Sequence, residues 1–297
     1  MLIIFILILG FGVGWANTKE PASQKSINDK GLMEMTSPAS EESTGSIPTD
    51  KKSSMQGSYI TAHISEFEDT HYLELINSEY QVNEWPDSRM LLQAWPTVPV
   101  GISQETLLHE AALAAVAGLF DDARNANIGT LYVGSGYRNY EEQKQLYEDA
   151  WDKSYVQPAN HSEHHTGLAA DIYALGLNTS EMTDSREAAW LAENAWRYGL
   201  ILRYAQDKCA TTQIAYEPWH FRYVGNPHAF YMRQHNMCLE EYLSFLSESG
   251  GYRMEFEGMS FLILYEKPEN GLINIPDGKE YTVSGDNTGG YVITICE

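Results

Sequence analysis

Cysteine is scarce in this chain. Only Cys209, Cys238 and Cys296 occur, none in a CxxC spacing, which excludes a zinc ribbon and a thioredoxin-like redox site. The odd count leaves at least one thiol unpaired; a Cys209 to Cys238 bridge suits an exported protein, but spacing alone assigns none. Positive charge is scarce as well. The 19 basic residues against 41 acidic ones give a formal net charge of -22, which repels nucleic acid and anionic membrane surfaces and excludes polyanions as partners. The acidic residues form no long run, so nothing marks a dedicated cation store. Internal repeats are absent, and strands and helices do not alternate regularly, which argues for an α+β arrangement and against a doubly wound sheet.

A long hydrophobic run is missing too. Met1 to Ala16 is apolar throughout but falls short of the roughly 20 residues a membrane span needs. It suits the hydrophobic region of an export signal, with Gly14 and Ala16 as small residues near a cleavage point. The first basic residue, Lys19, follows this run instead of preceding it, so the segment reads either as a signal peptide or as an atypical N-terminal anchor that would tether the protein to the membrane. Residues 17–57 are rich in Ser, Thr, Lys, Glu and Pro and nearly free of large apolar side chains. They cannot bury enough surface to offset chain entropy and read as a disordered linker. An exported protein at the cell wall or outer membrane face is the expected location.

Order is expected from residue 58 onward. LELINSEY (Leu73 to Tyr80) reads as a strand, and the apolar spacing over Ser103 to Asn127 reads as an amphipathic helix with Ser103 as its N-cap. TLYVGSGYR (Thr130 to Arg138) is a short strand that delivers Arg138 to a helix opened by Asn139 and running to Trp151. Ser185 to Tyr198 is a further helix, closed by Gly199 before the strand LILRY. A last helix is expected over Pro227 to Leu246, and residues 248–297 alternate apolar and polar positions around Gly and Asn turns, which predicts a β-rich C-terminal appendage to a main domain at 58–247.

Two segments carry the chemistry: HSEHHTGLAADI (His161 to Ile172) and YEPWHFRYVG (Tyr216 to Gly225). Together they hold imidazoles and carboxylates in the inventory of a catalytic zinc site, in which three protein ligands leave one position for water and a separate carboxylate takes its proton. A histidine and an aspartate seven positions apart, as His164 and Asp171 are, form a common pattern when taken alone. Glu217 and His220 would face opposite sides of a regular strand, so the intervening Pro218 and Trp219 must bend the chain if both are to act together.

Five blocks in order, SGYR with Gln143, SEHHTGLAADI, the Trp190 to Tyr204 stretch, EPWHFRYVG and LEEYL (Leu239 to Leu243), resemble the VanY-like D-alanyl-D-alanine carboxypeptidases, zinc peptidases of the hedgehog/D-Ala-D-Ala peptidase fold. The resemblance spans about Tyr59 to Leu246. It implies a small antiparallel sheet flanked by helices and one zinc ion held by His164, Asp171 and His220. It further implies Glu217 as general base and Arg138 at the oxyanion or the substrate carboxylate. Gln143 and Ser162 are candidate substrate contacts, each equally readable as a structural hydrogen bond or cap. The implied substrates are peptidoglycan stem peptides, with release of the terminal D-alanine. An L,D-carboxypeptidase or a D,D-dipeptidase would share these motifs, since specificity lies in pocket shape, and a wall-binding module that keeps the metal is the rival from another class. His161 and His165 fall outside the family register, Glu163 and Asp149 read as solvated charges, and Trp219, Tyr137 and Tyr204 as possible pocket walls.

Overall fold

The computed structural model describes residues 58–101 and 103–297; the expected export segment and linker lie outside the described residues. Among the described residues no helix is long and apolar enough to cross a membrane. Strand β1 (Tyr59–His63) opens the described chain. Leu73 to Tyr80 follows, and it is not the expected strand. Its backbone partners come from elsewhere: the Leu73 amide donates to Ser284 Oγ and the Leu75 amide to the Asp286 carbonyl. The Arg222 guanidinium binds the carbonyls of Tyr72 and Glu74. These bonds replace a sheet ladder, so a buried apolar segment stays irregular.

Strands β2 (Leu91–Gln93) and β3 (Leu107–His109) pair antiparallel, with Leu91 opposite His109. This pairing takes the first turn and a half of the expected helix. Helix α1 therefore runs over Glu110–Asn125, with His109 as its N-cap accepting from the Ala111 amide, while Ser103 caps only a local turn at Glu105.

The central sheet is built from β4 (Leu131–Ser135), β5 (Ala169–Ala174), β6 (Leu200–Leu202) and β7 (His220–Tyr223), in the antiparallel order β4-β5-β7-β6. Between these strands lie α2 (Tyr140–Asp149), α3 (Thr179–Thr183), α4 (Arg186–Asn194) and α5 (Cys209–Thr212). Asn139 caps α2 in a capping box with Glu142, as its sequence requires. Ser185 caps α4, which tightens into a 3-10 turn at Ala195–Tyr198 before Gly199 ends it. Side chains alternate across the sheet. Ala170, Ile172 and Phe221 face the core and cluster with Leu113, Val116, Leu119 and Phe120 of α1. Asp171 and His220 face the other way.

The expected last helix is two helices, α6 (His228–Gln234) and α7 (Leu239–Ser249). Asn236, between them, takes φ +49, which a continuing helix does not accept. The chain then forms β8 (Gly251–Phe256), β9 (Met259–Glu266), β10 (Leu272–Pro276), β11 (Tyr281–Gly285) and β12 (Tyr291–Cys296). Four of them make an antiparallel sheet in the order β11-β12-β9-β8, and β10 pairs with β1. Tyr252, Ile263 and Val292 of this sheet pack in one core with Leu239, Tyr242 and Leu246 of α7. Cys209, Cys238 and Cys296 are free thiols.

Candidate metal centre

The antiparallel register of β5 and β7 sets Asp171 directly opposite His220. Residues so opposed project from the same face with Cβ atoms roughly 5 Å apart, and the Asp171 Oδ1 to His220 Nδ1 distance is 3.1 Å. His220 is the first residue of β7. Before it the chain turns, the His220 amide donating to the Glu217 carbonyl at 3.2 Å. The bend demanded by Pro218 and Trp219 is therefore present, and it brings Glu217 Oε2 to 3.7 Å from His220 Nδ1.

His164 arrives from the other end of β5. It sits in a 3-10 turn, Glu163–Thr166, whose N-cap is Ser162; Ser162 Oγ accepts from the His164 amide at 3.4 Å. Gly167 ends the turn at φ +72, where a Cβ would also stand 2.6 Å from Leu91 Cδ2. His164 Nδ1 lies 2.6 Å from the Gly136 carbonyl. A carbonyl only accepts, so Nδ1 carries the proton and Nε2 keeps its lone pair. That Nε2 lies 3.5 Å from Asp171 Oδ2. Gly136 must be glycine here, since a Cβ would fall 2.2 Å from the Leu107 carbonyl oxygen.

His164, Asp171 and His220 thus each offer a ligand atom within 4.8 Å of the others, and all three are buried; among the described residues this is the one such cluster. The donor set fits a divalent metal of borderline softness, two imidazoles and a carboxylate with further coordination left open. Each imidazole has its remote nitrogen occupied, His164 by the Gly136 carbonyl and His220 Nε2 by Glu163 Oε2 at 3.4 Å, which leaves His164 Nε2 and His220 Nδ1 to face the metal position.

The electrostatics fit a cation as well. Burial pushes the Glu217 carboxyl up to about 8, with Asp171 and Glu163 adding to the rise. Burial lowers His164 to about 4. It works in the same direction on His220, yet the hydrogen bonds that Asp171 and Glu163 accept from it outweigh burial and lift this imidazole to about 9. Burial alone would raise Asp171, but His164 and His220 hold it well below the usual carboxylate range. A cation among these groups would oppose both rises, since its charge favours the ionised carboxylate and the neutral imidazole.

A cavity of about 160 Å³ opens onto this cluster, lined also by Arg138, Gln143, Ser162, Tyr204, Glu217 and Trp219. Arg138 is clamped at its backbone, its amide donating to the His164 carbonyl at 3.1 Å and its carbonyl accepting from His165 Nδ1 at 2.7 Å. Its Nε is buried without a partner. Gln143 Nε2 donates to the Gln157 carbonyl at 2.6 Å, which orients the amide and leaves its buried Oε1 unpaired. All seven candidate residues therefore meet at one cavity. Tyr204 and Trp219 wall it and Tyr137 does not. Asp149 is exposed. His161 and His165 serve the backbone, through Asn77 and through Asn160 and Arg138.

Glu163 is the residue that the sequence reading misplaced. It is not solvated but fully buried, with Oε1 2.7 Å from Arg203 Nε and 3.1 Å from Arg222 Nη1. Burial would raise this carboxyl, yet the two guanidiniums hold it well below the usual range. Its partners are distant in sequence, Arg222 on β7 and Arg203 just after the end of β6; the signal available was two arginines in otherwise apolar stretches, LILRY and HFRYV, which need buried counter-charges.

Three buried ligand groups with an adjacent carboxyl and a guanidinium around one cavity, on an α+β scaffold, are the set of groups that a metal-dependent hydrolase requires. The profile of the VanY family, described as D-alanyl-D-alanine carboxypeptidase, matches residues 105–226. The bifunctional D-Ala-D-Ala dipeptidase and D-Ala-D-Ala carboxypeptidase VanXYC of Enterococcus gallinarum is 33% identical over 194 residues, covering 60% of this chain and 96% of that protein. A solved structure of the vancomycin-resistance D,D-dipeptidase VanXYg, in complex with a D-Ala-D-Ala phosphinate analogue, shares 30% identity. It covers 81% of this chain and 99% of its own, with a TM-score of 0.67. A D-alanyl-D-alanine carboxypeptidase of Enterococcus faecium is 38% identical over 178 residues, which are 60% of this chain and only 57% of that relative's length. The chain belongs to the VanY D-alanyl-D-alanine carboxypeptidase family.

Proposed function

We propose that this protein is a zinc D,D-carboxypeptidase that removes the terminal D-alanine from peptidoglycan stem peptides, with His164, Asp171 and His220 as ligands. The observation that carries this reading is the meeting of these three buried groups with Glu217 and Arg138 at a single cavity. When bound, zinc supplies Lewis acidity and brings the pKa of coordinated water to about 7. Glu217, 3.7 Å from His220 Nδ1, is placed to take the proton of the attacking water and return it to the leaving amine of D-alanine. Arg138 presents an unpaired buried Nε to the oxygen on which charge develops, or to the terminal carboxylate of the substrate. Gln143 Oε1, unpaired and acceptor-only, suits an N–H of the substrate.

A second reading, hydrolysis of free D-Ala-D-Ala, is favoured by the near-complete coverage of the bifunctional VanXYC. The stem peptides of the first reading belong to the wall outside the cell membrane, and the apolar Met1 to Ala16 segment supports export, by a cleaved signal or an anchor. Mass-spectrometric detection of D-alanine release tests both readings. Pentapeptide stem, tetrapeptide stem and free dipeptide are each incubated with zinc-loaded and with chelated protein. Zinc-dependent shortening of the pentapeptide is the expected result; no release from any of the three overturns the proposal.

A further inference from the structure

The two imidazoles of the metal centre are held differently. His164 leans on a neutral carbonyl, that of Gly136. His220 leans on a carboxylate, Glu163 Oε2, at 3.4 Å. The second oxygen of that carboxylate does not reach solvent: Oε1 takes Arg203 Nε at 2.7 Å and faces Arg222 Nη1 at 3.1 Å. Arg203 then forks onto Glu240, Nη1 to Oε2 at 2.8 Å and Nη2 to Oε1 at 2.7 Å. Glu240 lies in the first turn of α7, where the helix dipole favours a carboxylate. Glu163, Arg203 and Arg222 have fully buried side chains and the Glu240 side chain is 14% exposed. The four charges sum to zero, two carboxylates against two guanidiniums. Such a network is expensive to desolvate and does little for net stability that apolar packing could not do. It does fix geometry, because the bidentate fork onto Glu240 holds Arg203 and strand β7 holds Arg222, which together leave Glu163 one orientation.

We infer that Glu163 is a positioning residue for His220 and that the buried chain Glu163, Arg203, Glu240 ties this ligand to helix α7. The inference rests on the metal-centre reading above. Glu163 touches neither the cavity nor the metal position; it acts through the imidazole by fixing its ring plane and keeping the proton on Nε2, so that Nδ1 stays a lone-pair donor. An anionic partner also makes the imidazole a stronger donor than a carbonyl partner does. The same charge balance explains why a solvated glutamate would not serve: without Arg203 and Arg222 the carboxylate would turn away toward water.

Three variants test this, Glu163→Gln, Glu163→Asp and Glu240→Gln, each compared with wild type for zinc affinity against a chromogenic chelator and for the visible absorption bands of the cobalt-substituted protein. Circular dichroism and thermal melting report folding alongside. Wild type that binds no zinc sinks the metal-centre reading itself. If wild type binds, the expected order of affinity is wild type, then Glu163→Asp, then Glu163→Gln, the last weaker by about 10- to 100-fold with shifted cobalt bands. Glu240→Gln, remote from the metal, shifts both readouts in the same direction by a smaller factor. Folded Glu163→Gln with wild-type zinc affinity and an unchanged cobalt spectrum overturns the inference. Should Glu163→Gln fail to fold, the same result for Glu163→Asp, which keeps the charge but withdraws it by one methylene, overturns it instead.

Discussion

Asp171 and His220 stand directly opposite each other in the β5 and β7 register, their side chains 3.1 Å apart. Two strand backbones thus place two of the three candidate ligands, and no loop has to order for the pair to form. Asp171→Asn preserves this shape and removes the charge. Zinc affinity is expected to fall by more than about 100-fold, beyond the loss typical of an outer partner, with little change in far-UV circular dichroism. Equilibrium competition with a chelator measures it, and retention of wild-type affinity would remove Asp171 from the ligand set.

Glu217 is held 3.7 Å from His220 by the turn that precedes β7. Because its proposed task is proton transfer and not ligation, Glu217→Ala should retain zinc and lose turnover. A fall in kcat of about 10²- to 10⁴-fold is expected for a lost general base. Metal analysis by mass spectrometry and D-alanine release on the same sample separate the two effects; loss of zinc in step with activity would make Glu217 a ligand.

Arg138 is fixed at both backbone groups by the His164 to His165 turn, and its Nε has no partner among the described residues. A lysine cannot reproduce a planar fork. Arg138→Lys and Arg138→Met should therefore both lose about 10²- to 10³-fold in kcat/KM while keeping zinc. Wild-type kinetics in Arg138→Lys would show that only a positive charge is needed there.

The sequence singles out His164, Asp171, Glu217 and His220 only through the ordered blocks that resemble a known family, and the structure brings them to one cavity; the helix after Arg138 announces itself through the Asn139 to Glu142 capping box. What misled was local pattern overruled by distant partners. The spacing over Ser103 to Asn127 is helical throughout, yet Leu107 to His109 pairs with Leu91 to Gln93. Leu73 to Tyr80 has strand composition, yet an arginine on β7 binds the carbonyls of Tyr72 and Glu74 at its start. Glu163 reads as a loop charge because the guanidiniums that bury it stand 40 and 59 positions later in the chain.

The C-terminal strands, expected from sequence as a β-rich appendage, complete a core that the last helix shares. Tyr252, Ile263 and Val292 share a core with Leu239, Tyr242 and Leu246, and β10 carries the whole pairing of β1. Ending the chain at Gly250 would expose the three α7 side chains, at about 1.5–3 kcal/mol each, a large part of the 5–15 kcal/mol typical of a whole domain. The truncated protein is expected to be insoluble or to melt without cooperativity. A soluble truncation with wild-type D-alanine release would show that the main domain stands alone.

His228 joins that same core to the outer sheet, its Nδ1 2.6 Å from Tyr242 Oη and its Nε2 2.8 Å from Thr294 Oγ1. Among the described residues no carboxylate hydrogen-bonds or ion-pairs with it, and burial lowers its pKa from 6.5 to about 3. The unfolded chain therefore takes up a proton at this position below pH 6.5 while the folded one does not, so the contribution of neutral His228 is complete above pH 6.5 and is lost as the pH falls toward 3. The slope approaches about 1.4 kcal/mol per pH unit. His228→Gln can keep both hydrogen bonds without titrating. Urea unfolding at pH 7.0, 6.0 and 5.0 should show wild type losing stability relative to His228→Gln at each step down, the other histidines and the carboxylates cancelling in the comparison. Parallel pH profiles for the two proteins would mean that His228 is charged in the fold or reaches water.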